Sequence, residues 1–448
     1  MSNPSSLAPD IVLVHCHDLG RWLSTYGMSQ VPSPNITRFG DTGMVFENAH
    51  SAAPLCSPAR GSLFTGLSPH RHGLQGLAHH QWRYRKGVCT MPEQLSALGY
   101  HTALIGLQHE NPDPSVLGFQ EVGGVGFLPR VNQVVDATHS WLGELSPRGD
   151  RPPVFLTVGV WEVHRPWPAE DYDFADPSAV DVPGYLPDTP DTREDIAAFY
   201  GSIRQLDTAM GRLFDALETH LDPEHTLVIF TTDHGAAFPR AKSTLYDAGT
   251  GVSLIVKPPR SWQTSAGRVD AMVSHLDVLP TLIEIAGGEP DDQLEGVSLM
   301  PLLTGDQTVG KDRTIFTSKS FHDSFDPMRC ARSRDFAYIR NLAPGPKLTL
   351  SLDLENSPTR RGMGDAHLEP RPQEELYDRT KDPDELQNLA EDPNYESVRR
   401  AYAEALDTWM HETGDPLAFG DSIALPTPRN REVDALPPVP PIHALTRK

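Results

Sequence analysis

Residues 53–66 read APLCSPARGSLFTG, and this stretch decides how the rest of the chain is interpreted. Pro58 suits the first turn of a helix, and Gly66 suits the helix end, where a left-handed residue is favoured. Cys56 then lies at the positive end of a short helix, which attracts anions. Arg60 follows one turn later on the same face, with a fork of donors that fits a tetrahedral oxyanion. The stretch predicts an anion site beside a cysteine, although a buried cysteine that starts an ordinary helix also fits the cysteine alone.

The composition is that of a large globular protein with an acidic surface. The chain has 448 residues, of which 38% are hydrophobic and 22% charged, so it can bury a large core and form two or three domains. Its net charge of −22 argues against nucleic acid and anionic membranes as partners, because both require a basic surface. The four scattered cysteines indicate neither a disulfide framework nor a zinc site.

Targeting signals are not evident in the sequence. Residues 1–9 have neither the basic region nor the apolar region that a signal peptide contains. The sequence has no run of about 18 apolar residues, so no membrane span is expected. These features predict a cytoplasmic location, whereas the oligomeric state leaves no signal in the sequence.

Residues 1–310 alternate short apolar runs with helical patterns, which is typical of an α/β domain. Continuous apolar runs, of the kind that a parallel sheet buries, occur at 11–14, 102–105, 154–160 and 227–230, with a weaker run at 252–256. Apolar residues recur at helical spacing across 192–219, and a second helix is expected at 277–286. The predicted fold class is therefore α/β.

Residues 311–420 are expected to form a smaller α+β subdomain with a small antiparallel sheet and a helix. A strand is predicted at 336–339, and an amphipathic helix at 395–412. Residues 352–373 are polar with scattered glycine and proline, which predicts a long functional loop. The proline-rich tail, residues 421–448, is expected to wrap the surface.

Titratable residues follow four of the apolar runs. The runs lead in turn into His15-Cys16-His17-Asp18, His109, His164, and Asp233-His234. In open α/β sheets, ligands bind beyond the carboxyl ends of the strands. Any one of these groups could belong to a strand end that faces solvent. The four groups, together with the cysteine-bearing helix, predict a single site.

The residue types at these strand ends suit a metal-assisted reaction on an oxyanion. Asp18 and Asp233 each stand beside a histidine and are natural ligands for one divalent cation. Such a cation would orient a nucleophile and offset the charge of the oxyanion, and Lys242 could also neutralise that charge. His109 and His164 could donate hydrogen bonds, or act as general acid and base near neutral pH.

The pattern Cys56-x-Pro58-x-Arg60, with the tail Leu-Phe-Thr-Gly up to Gly66, resembles the signature of type I, formylglycine-dependent sulfatases of the alkaline phosphatase superfamily. Within this family the chain is most similar to the sulfamidase group (heparan N-sulfoglucosamine sulfohydrolase) and its bacterial relatives. The similarity extends to residues 67–77, 226–233, 375–379, 388–390 and 409–413. The resemblance implies an alkaline-phosphatase-like fold, with a mixed, mainly parallel sheet flanked by helices, in a catalytic domain at 1–310.

The resemblance also implies a covalent mechanism. Cys56 would be oxidised by a formylglycine-generating enzyme to an aldehyde, whose hydrate is the nucleophile and which Arg60 supports. One hydroxyl of the hydrate attacks sulfur to give a sulfo-enzyme, and the other then loses a proton and expels sulfate. His109 matches a histidine of the family motif, His164 matches a histidine that faces the sulfate or the leaving group, and Lys242 matches the lysine that contacts the sulfate.

A single divalent metal, calcium by the family resemblance, is implied at Asp18, Asp233 and Cys56. His17 stands where the family usually has aspartate, and His234 stands where it usually has asparagine. Imidazole ligands suit zinc, manganese or iron better than calcium, so these metals are alternatives. If the two histidines do not ligate, calcium or magnesium on the two aspartates remains open.

Other positions bear on the substrate. Leu107 stands where the family usually has a lysine, which removes one positive charge from the sulfate pocket. His72 and His322 are predicted loop residues that could contact the substrate, although an ordinary surface role fits each of them equally well.

Three functions are compatible with this pattern. The first, which we expect, is hydrolysis of sulfate esters or sulfamates of a small molecule, a sugar or an oligosaccharide. The second is hydrolysis of phosphodiesters or phosphonate monoesters, which the histidines at the metal site and the missing lysine favour. The third is a homologue that has kept the fold as an inactive binding module.

Overall fold

The computed structural model describes residues 8–123, 129–306 and 309–426. Its strands are β1 (Asp10–Cys16), β2 (Met44–His50), β3 (His101–Gly106), β4 (Glu121–Gly123), β5 (Val154–Gly159), β6 (Thr226–Thr232), β7 (Leu254–Lys257), β8 (Gly267–Ser274), β9 (Ile315–Phe321), β10 (Phe325–Arg332), β11 (Phe336–Asn341) and β12 (Glu374–Asp378). Its α-helices are α1 (Pro34–Asp41), α2 (Cys56–Thr65), α3 (Pro69–His72), α4 (Met91–Ala97), α5 (Val131–Glu144), α6 (Pro190–His220), α7 (Asp247–Thr250), α8 (Val278–Ile285), α9 (Met300–Leu303), α10 (Leu352–Glu355), α11 (Pro358–Gly362) and α12 (Glu396–Glu412).

The large sheet has the strand order β4-β3-β5-β1-β6-β7-β2-β8, in which only β7 runs antiparallel to its neighbours among the described strands. Strand β1 is buried along its whole length between β5 and β6. Its alternate residues belong to different apolar cores, Val12 and Val14 to one and Ile11 and Leu13 to the other. Helices therefore cover both faces of the sheet, which is why the strands are continuous apolar runs. The predicted α/β class, with a mainly parallel sheet, is confirmed.

The helices that the sequence predicted in this part are present. Helix α6 covers the predicted 192–219 and is longer by about one residue or two at each end, because Thr189 caps it and accepts a hydrogen bond from the Thr192 N–H. Helix α2 runs from Cys56 to Thr65, and Gly66 ends it in the left-handed conformation with a φ of 65°. Residues 277–286 hold α8, preceded by a 3-10 turn.

The small sheet is antiparallel with the order β12-β11-β10-β9, and α12 packs on it. The predicted strand at 336–339 is part of β11, and the predicted helix at 395–412 corresponds to α12. The small sheet also bonds to the catalytic part, because the Ser318 N–H donates to the Ala52 carbonyl at 2.9 Å. The domain limits at 310 and 420 stay predictions, and the tail from 427 onward lies outside the described residues.

Residues 352–373 differ from the loop that the sequence predicts, because they contain α10, α11 and a further 3-10 turn. Pro358 occupies the first turn of α11, and the Ser357 hydroxyl caps it by accepting from the Arg360 N–H. Thr359 of α11 donates its hydroxyl to Asp195 of α6 at 2.7 Å. This anchor fixes the segment beside the carboxyl ends of the large sheet. No helix in the described ranges is long and apolar enough to cross a membrane.

Candidate active site at the carboxyl ends of the sheet

The strand-end residues that the sequence singled out converge at one edge of the large sheet. His17 directly follows β1. The centre of its ring is 5.6 Å from the ring centre of His109 and 5.4 Å from that of His164. Asp233 follows β6, and its Oδ1 accepts the Asp18 N–H at 2.9 Å. The parallel order of β3, β5, β1 and β6 explains this meeting, since neighbouring parallel strands end at the same edge.

Cys56 is the first residue of α2 and lies among these groups. Its Sγ is 3.5 Å from His234 Nε2, and the residue is almost fully buried. Burial opposes ionisation of the thiol, but the charge of Lys242 and hydrogen bonds from His109 and His164 outweigh burial and hold the pKa of Cys56 well below its ordinary value. The position combines a helix N-terminus with a field that favours negative charge on Cys56.

Arg60 lies one turn further along α2, and both of its terminal nitrogens contact protein groups. One of its terminal nitrogens donates to the Cys16 carbonyl at 3.1 Å and to Asp233 Oδ2 at 3.2 Å. The other terminal nitrogen contacts Nδ1 of His15. Arg60 therefore fastens the nucleophile helix to β1 and β6, which fits the supporting role that the resemblance implies.

Four residues offer one ligand atom each within 4.8 Å of one another: His17, Asp18, Cys56 and Asp233. His17 Nδ1 lies 2.9 Å from Asp233 Oδ2, but neither of its two buried ring nitrogens forms a hydrogen bond within the described part of the chain. A buried nitrogen left without a partner is costly unless an ion or another group satisfies it. The donor set therefore fits a divalent cation.

His234 extends this cluster from the other side. Its Nε2 is 3.1 Å from Asp18 Oδ1 and 3.6 Å from Asp233 Oδ2. Its Nδ1 lies 2.9 Å from the Gly235 carbonyl, and donation of the Nδ1 proton to that carbonyl would leave the Nε2 lone pair facing the two carboxylates. This is the arrangement expected of an imidazole that binds a metal.

The field of the two carboxylates favours a positive charge between them. Burial opposes protonation of His17, and so does Arg60, but Asp18 and Asp233 raise the pKa of His17 to about 9. Burial likewise opposes ionisation of Asp233, but His234, His17 and Arg60 hold its pKa far below the ordinary value. A divalent cation would take up the same favourable field.

Lys242 lies on the outer side of Asp18. Its Nζ donates to Asp18 Oδ2 at 2.7 Å and to Asp353 Oδ2 at 2.7 Å, and it is 3.3 Å from His164 Nε2. Burial would lower the pKa of Lys242, but Asp18 and Asp353 raise it well above the ordinary value, so the side chain is a fixed cation. The charge of Lys242 also acts on Cys56, where it lowers the pKa of the thiol.

His109 lies beside Cys56 and contacts its neighbour His79. His109 has a positive φ of 67°, and its Nε2 is 3.3 Å from His79 Nδ1. The Ser57 hydroxyl of α2 donates to the His109 carbonyl at 2.7 Å, which ties this turn to the nucleophile helix. Leu107 is buried directly after β3, so an apolar side chain occupies the position of the missing lysine.

The two predicted substrate contacts have different positions. His72 is fully buried behind α2, where its Nε2 contacts Ser62 Oγ and the Pro58 carbonyl and its Nδ1 accepts from the Leu74 N–H. Its place in the core gives it a packing role instead of the predicted substrate contact. His322 lies beside Asp323, and its Nδ1 is 2.7 Å from the Asp323 carboxylate.

Asp353 and His15 are the residues that the sequence reasoning missed. Asp353 lies in the segment predicted as a functional loop, but nothing in its local sequence distinguishes it from other surface aspartates. His15 belongs to the quoted strand end, and a buried histidine three residues before Asp18 was the available signal. Its partner, Arg60, is 45 residues away in sequence.

Known proteins resemble this chain in sequence and in fold. The family model described as Sulfatase matches residues 9–288. N-sulphoglucosamine sulphohydrolase of Homo sapiens is 29% identical over an alignment 463 residues long, and this alignment covers 90% of this chain and 90% of that protein. The crystal structure of phosphonate monoester hydrolase of Agrobacterium radiobacter is similar with a TM-score of 0.71 and 20% identity, over 90% of this chain and 96% of its own.

A further solved structure is that of a protein in complex with its substrate, D-glucosamine-2-N,6-O-disulfate. Its TM-score is 0.70 at 17% identity, over 91% of this chain and 98% of its own. At such identities the two solved structures show a shared fold and do not assign a substrate.

Proposed function

Because the chain belongs to the sulfatase family, we propose that it hydrolyses sulfate esters or sulfamates of a sulfated sugar or small molecule, with Cys56 converted to formylglycine as the nucleophile. The observation that carries the proposal is the position of Cys56. It starts α2 in contact with His234, beside the cluster of His17, Asp18 and Asp233.

Formylglycine would supply a hydrated aldehyde that can attack sulfur and later release sulfate. The residues around it divide the remaining work. Lys242 faces the incoming sulfate group and offsets its charge. His164, which contacts Lys242, and His109, which like His164 hydrogen-bonds to Cys56, would hold or transfer the proton that the leaving group needs. Arg60 keeps the helix in register with β1 and β6.

We propose His17, Asp18, Cys56, Asp233 and His234 as the metal-binding set. The bound ion would offset the charge of the sulfate and orient the nucleophile. The resemblance favours calcium, whereas two imidazoles favour manganese, zinc or iron. Maturation of Cys56 would make a formylglycine-generating enzyme a transient partner of this chain.

The test is release of sulfate by the matured protein. Conversion of Cys56 lowers the intact mass by about 18 Da, which mass spectrometry detects. Ion chromatography should then find inorganic sulfate when the matured protein is incubated with 4-nitrophenyl sulfate or N-sulfoglucosamine. Matured, metal-loaded protein that releases no sulfate from either compound would contradict the proposal and favour an inactive binding homologue.

A second candidate function, hydrolysis of phosphodiesters or phosphonate monoesters, is favoured by two specific observations. His234 contacts Asp18 of the proposed metal-binding set, and Leu107 leaves the site without the usual lysine. Transfer at phosphorus depends on similar positioning and charge stabilisation. With 4-nitrophenol as the common leaving group, a kcat/KM that is higher for the phenylphosphonate monoester than for the sulfate would select this function.

A further inference from the structure

One carboxylate from the small subdomain reaches the site. Asp353 Oδ2 accepts from Lys242 Nζ at 2.7 Å, and its Oδ1 accepts from the Ser351 hydroxyl. Its segment is fixed at α11, where Thr359 bonds to Asp195 of α6. Asp353 therefore occupies a defined position at the mouth of the site, 111 residues away from Lys242 in sequence.

Lys242 connects the inner and outer parts of the site. Its ammonium group has three N–H donors, and in the described structure it faces three partners: Asp18, His164 and Asp353. The side chain of Asp18 is fully buried, whereas that of Asp353 is 22% exposed. A ligand that approaches Lys242 from solvent therefore meets Asp353 beside it.

A second carboxylate stands next to the first. Asp323, between β9 and β10, accepts from the Leu352 N–H at 2.9 Å and lies 2.7 Å from His322 Nδ1. Its side chain is 18% exposed. Leu352 is the residue before Asp353, so these contacts hold the two carboxylates near each other on the side of Lys242 that Asp353 occupies. We refer to Asp323 and Asp353 together as the acidic rim.

The acidic rim affects which groups can accompany the sulfate. The sulfate group itself brings negative charge that Lys242 can offset. A second sulfate or carboxylate beside it would face the rim, and like charges repel strongly in a partly buried site. A hydroxyl or ammonium group in the same place would instead donate a charge-assisted hydrogen bond to Asp353.

We propose that Asp353 is a specificity-determining residue, which binds a hydroxyl or ammonium group beside the scissile sulfate and disfavours a second anionic group there. The substrate class is then a monosulfated amino sugar or polyol, as the O-sulfate or the sulfamate. This inference rests on the proposed function, because it concerns the same site.

Binding without turnover gives the test. Isothermal titration calorimetry is performed with the full chain carrying Cys56→Ala, in which hydrolysis is absent. The probes are N-sulfoglucosamine, N-sulfoglucosamine 6-sulfate and inorganic sulfate. Asp353→Asn, added to this background, keeps the shape of the side chain and removes its charge. Asp365→Asn is the matched control, since Asp365 belongs to the same segment and its side chain is 81% exposed.

We expect Asp353→Asn to weaken binding of N-sulfoglucosamine about tenfold to a hundredfold relative to inorganic sulfate, as expected for the loss of a charged hydrogen bond. It should also narrow the preference for the monosulfated over the disulfated sugar. Asp365→Asn should change neither ratio. Equal ratios in the two variants, or tighter binding of the disulfated sugar by the protein with Asp353 intact, would overturn the inference.

Turnover is measured separately with Cys56 intact and the same two sugars. Failure to release sulfate there would contradict the proposed function, while the binding ratios would still decide the role of Asp353. Hydrolysis of both sugars with the same selectivity in Asp353→Asn as in the unsubstituted protein would overturn the inference and leave the proposed function standing.

Discussion

The protein holds two pairs of carboxylates in different ways, and one member of each pair, Asp18 and Asp353, contacts Lys242. Asp18 and Asp233 follow strands of the large sheet and are fully buried, each in contact with imidazoles and a cationic side chain. Asp323 and Asp353 come from the small subdomain, and their side chains are 18% and 22% exposed. A buried charge cannot lose its partner cheaply, whereas a partly exposed one can be replaced at lower cost. We therefore expect Asp18 and Asp233 to tolerate substitution less well than Asp323 and Asp353, which fits a role of the first pair in the proposed reaction and of the second pair in the choice of substrate.

The largest effect on turnover is expected from Cys56→Ala. Loss of the nucleophile should lower kcat/KM for 4-nitrophenyl sulfate at least about 10⁴-fold, because the covalent route is closed. Cys89→Ala is the matched control, since Cys89 is an exposed free cysteine, and its activity should not change. Comparable activity in the two variants would exclude Cys56 as the nucleophile.

The site at the strand ends of the large sheet was predictable from the sequence, because the signals for it are local. Strands β1, β3, β5 and β6 are continuous apolar runs, and the titratable residues follow them directly in sequence. The predicted sulfatase family and α/β fold are confirmed by the family match and by the observed order of the sheet. Strand β2 was missed because Glu47 and Asn48 interrupt its apolar pattern on half-buried positions.

The acidic rim could not be predicted from the sequence, and the reason is physical. Asp353 acquires its role only through a contact with Lys242 that spans 111 residues, and Asp323 through a turn of a small sheet. Strands β9 and β10 bury charged residues such as Lys319 and Arg329, so they lack the apolar signature of a core strand. Such contacts leave no periodicity in the sequence.

The next largest effect on turnover is expected at Arg60, which connects α2 to the ends of β1 and β6. Arg60→Lys keeps the positive charge but loses the fork that reaches Asp233 and the Cys16 carbonyl. We expect kcat/KM for 4-nitrophenyl sulfate to fall about tenfold to a hundredfold, in line with the loss of one charged hydrogen bond. Arg38→Lys is the control, since Arg38 is 64% exposed, and equal rates in the two variants would contradict this role.

A smaller effect on turnover, with a clear effect on metal content, is expected from His234→Asn. The substitution replaces an imidazole at the Asp18 carboxylate by an amide oxygen, which suits calcium better than a transition metal. Affinity for manganese or zinc should fall about tenfold to a hundredfold, measured by mass spectrometry of the metals retained after dialysis. The exposed His139→Asn serves as control, and an unchanged metal content in His234→Asn would remove this histidine from the metal-binding set.

The smallest effect on turnover is expected from Asp415→Asn, which acts on the small subdomain. Asp415 pairs with Arg329 of β10, both fully buried, and Arg329 also binds the Lys319 carbonyl of β9. The substitution leaves a buried charge without its partner and should lower the free energy of unfolding by about 3–5 kcal/mol at neutral pH. Urea denaturation measures it, with the exposed Asp421→Asn as control.

The pH dependence of this loss has a defined sign. Burial opposes ionisation of Asp415, but Arg329 holds its pKa below the ordinary value. The unfolded chain therefore binds this proton more readily than the folded protein, so the stabilisation is present above the unfolded pKa and disappears as the pH falls through the folded one. The difference between Asp415→Asn and the unsubstituted protein should shrink on acidification. A constant difference down to pH values below about 3 would contradict this explanation.

The most direct test of the account is whether the side chain at position 56 accepts the sulfuryl group. In Cys56→Ser, a single hydroxyl can attack sulfur, but no second hydroxyl is present to expel sulfate. Incubation with 4-nitrophenyl sulfate should therefore leave a stable adduct of about 80 Da on the peptide that contains position 56, as a sulfuryl group would add. No adduct on that peptide from the sulfate ester, together with one from a phosphonate monoester, would contradict the account.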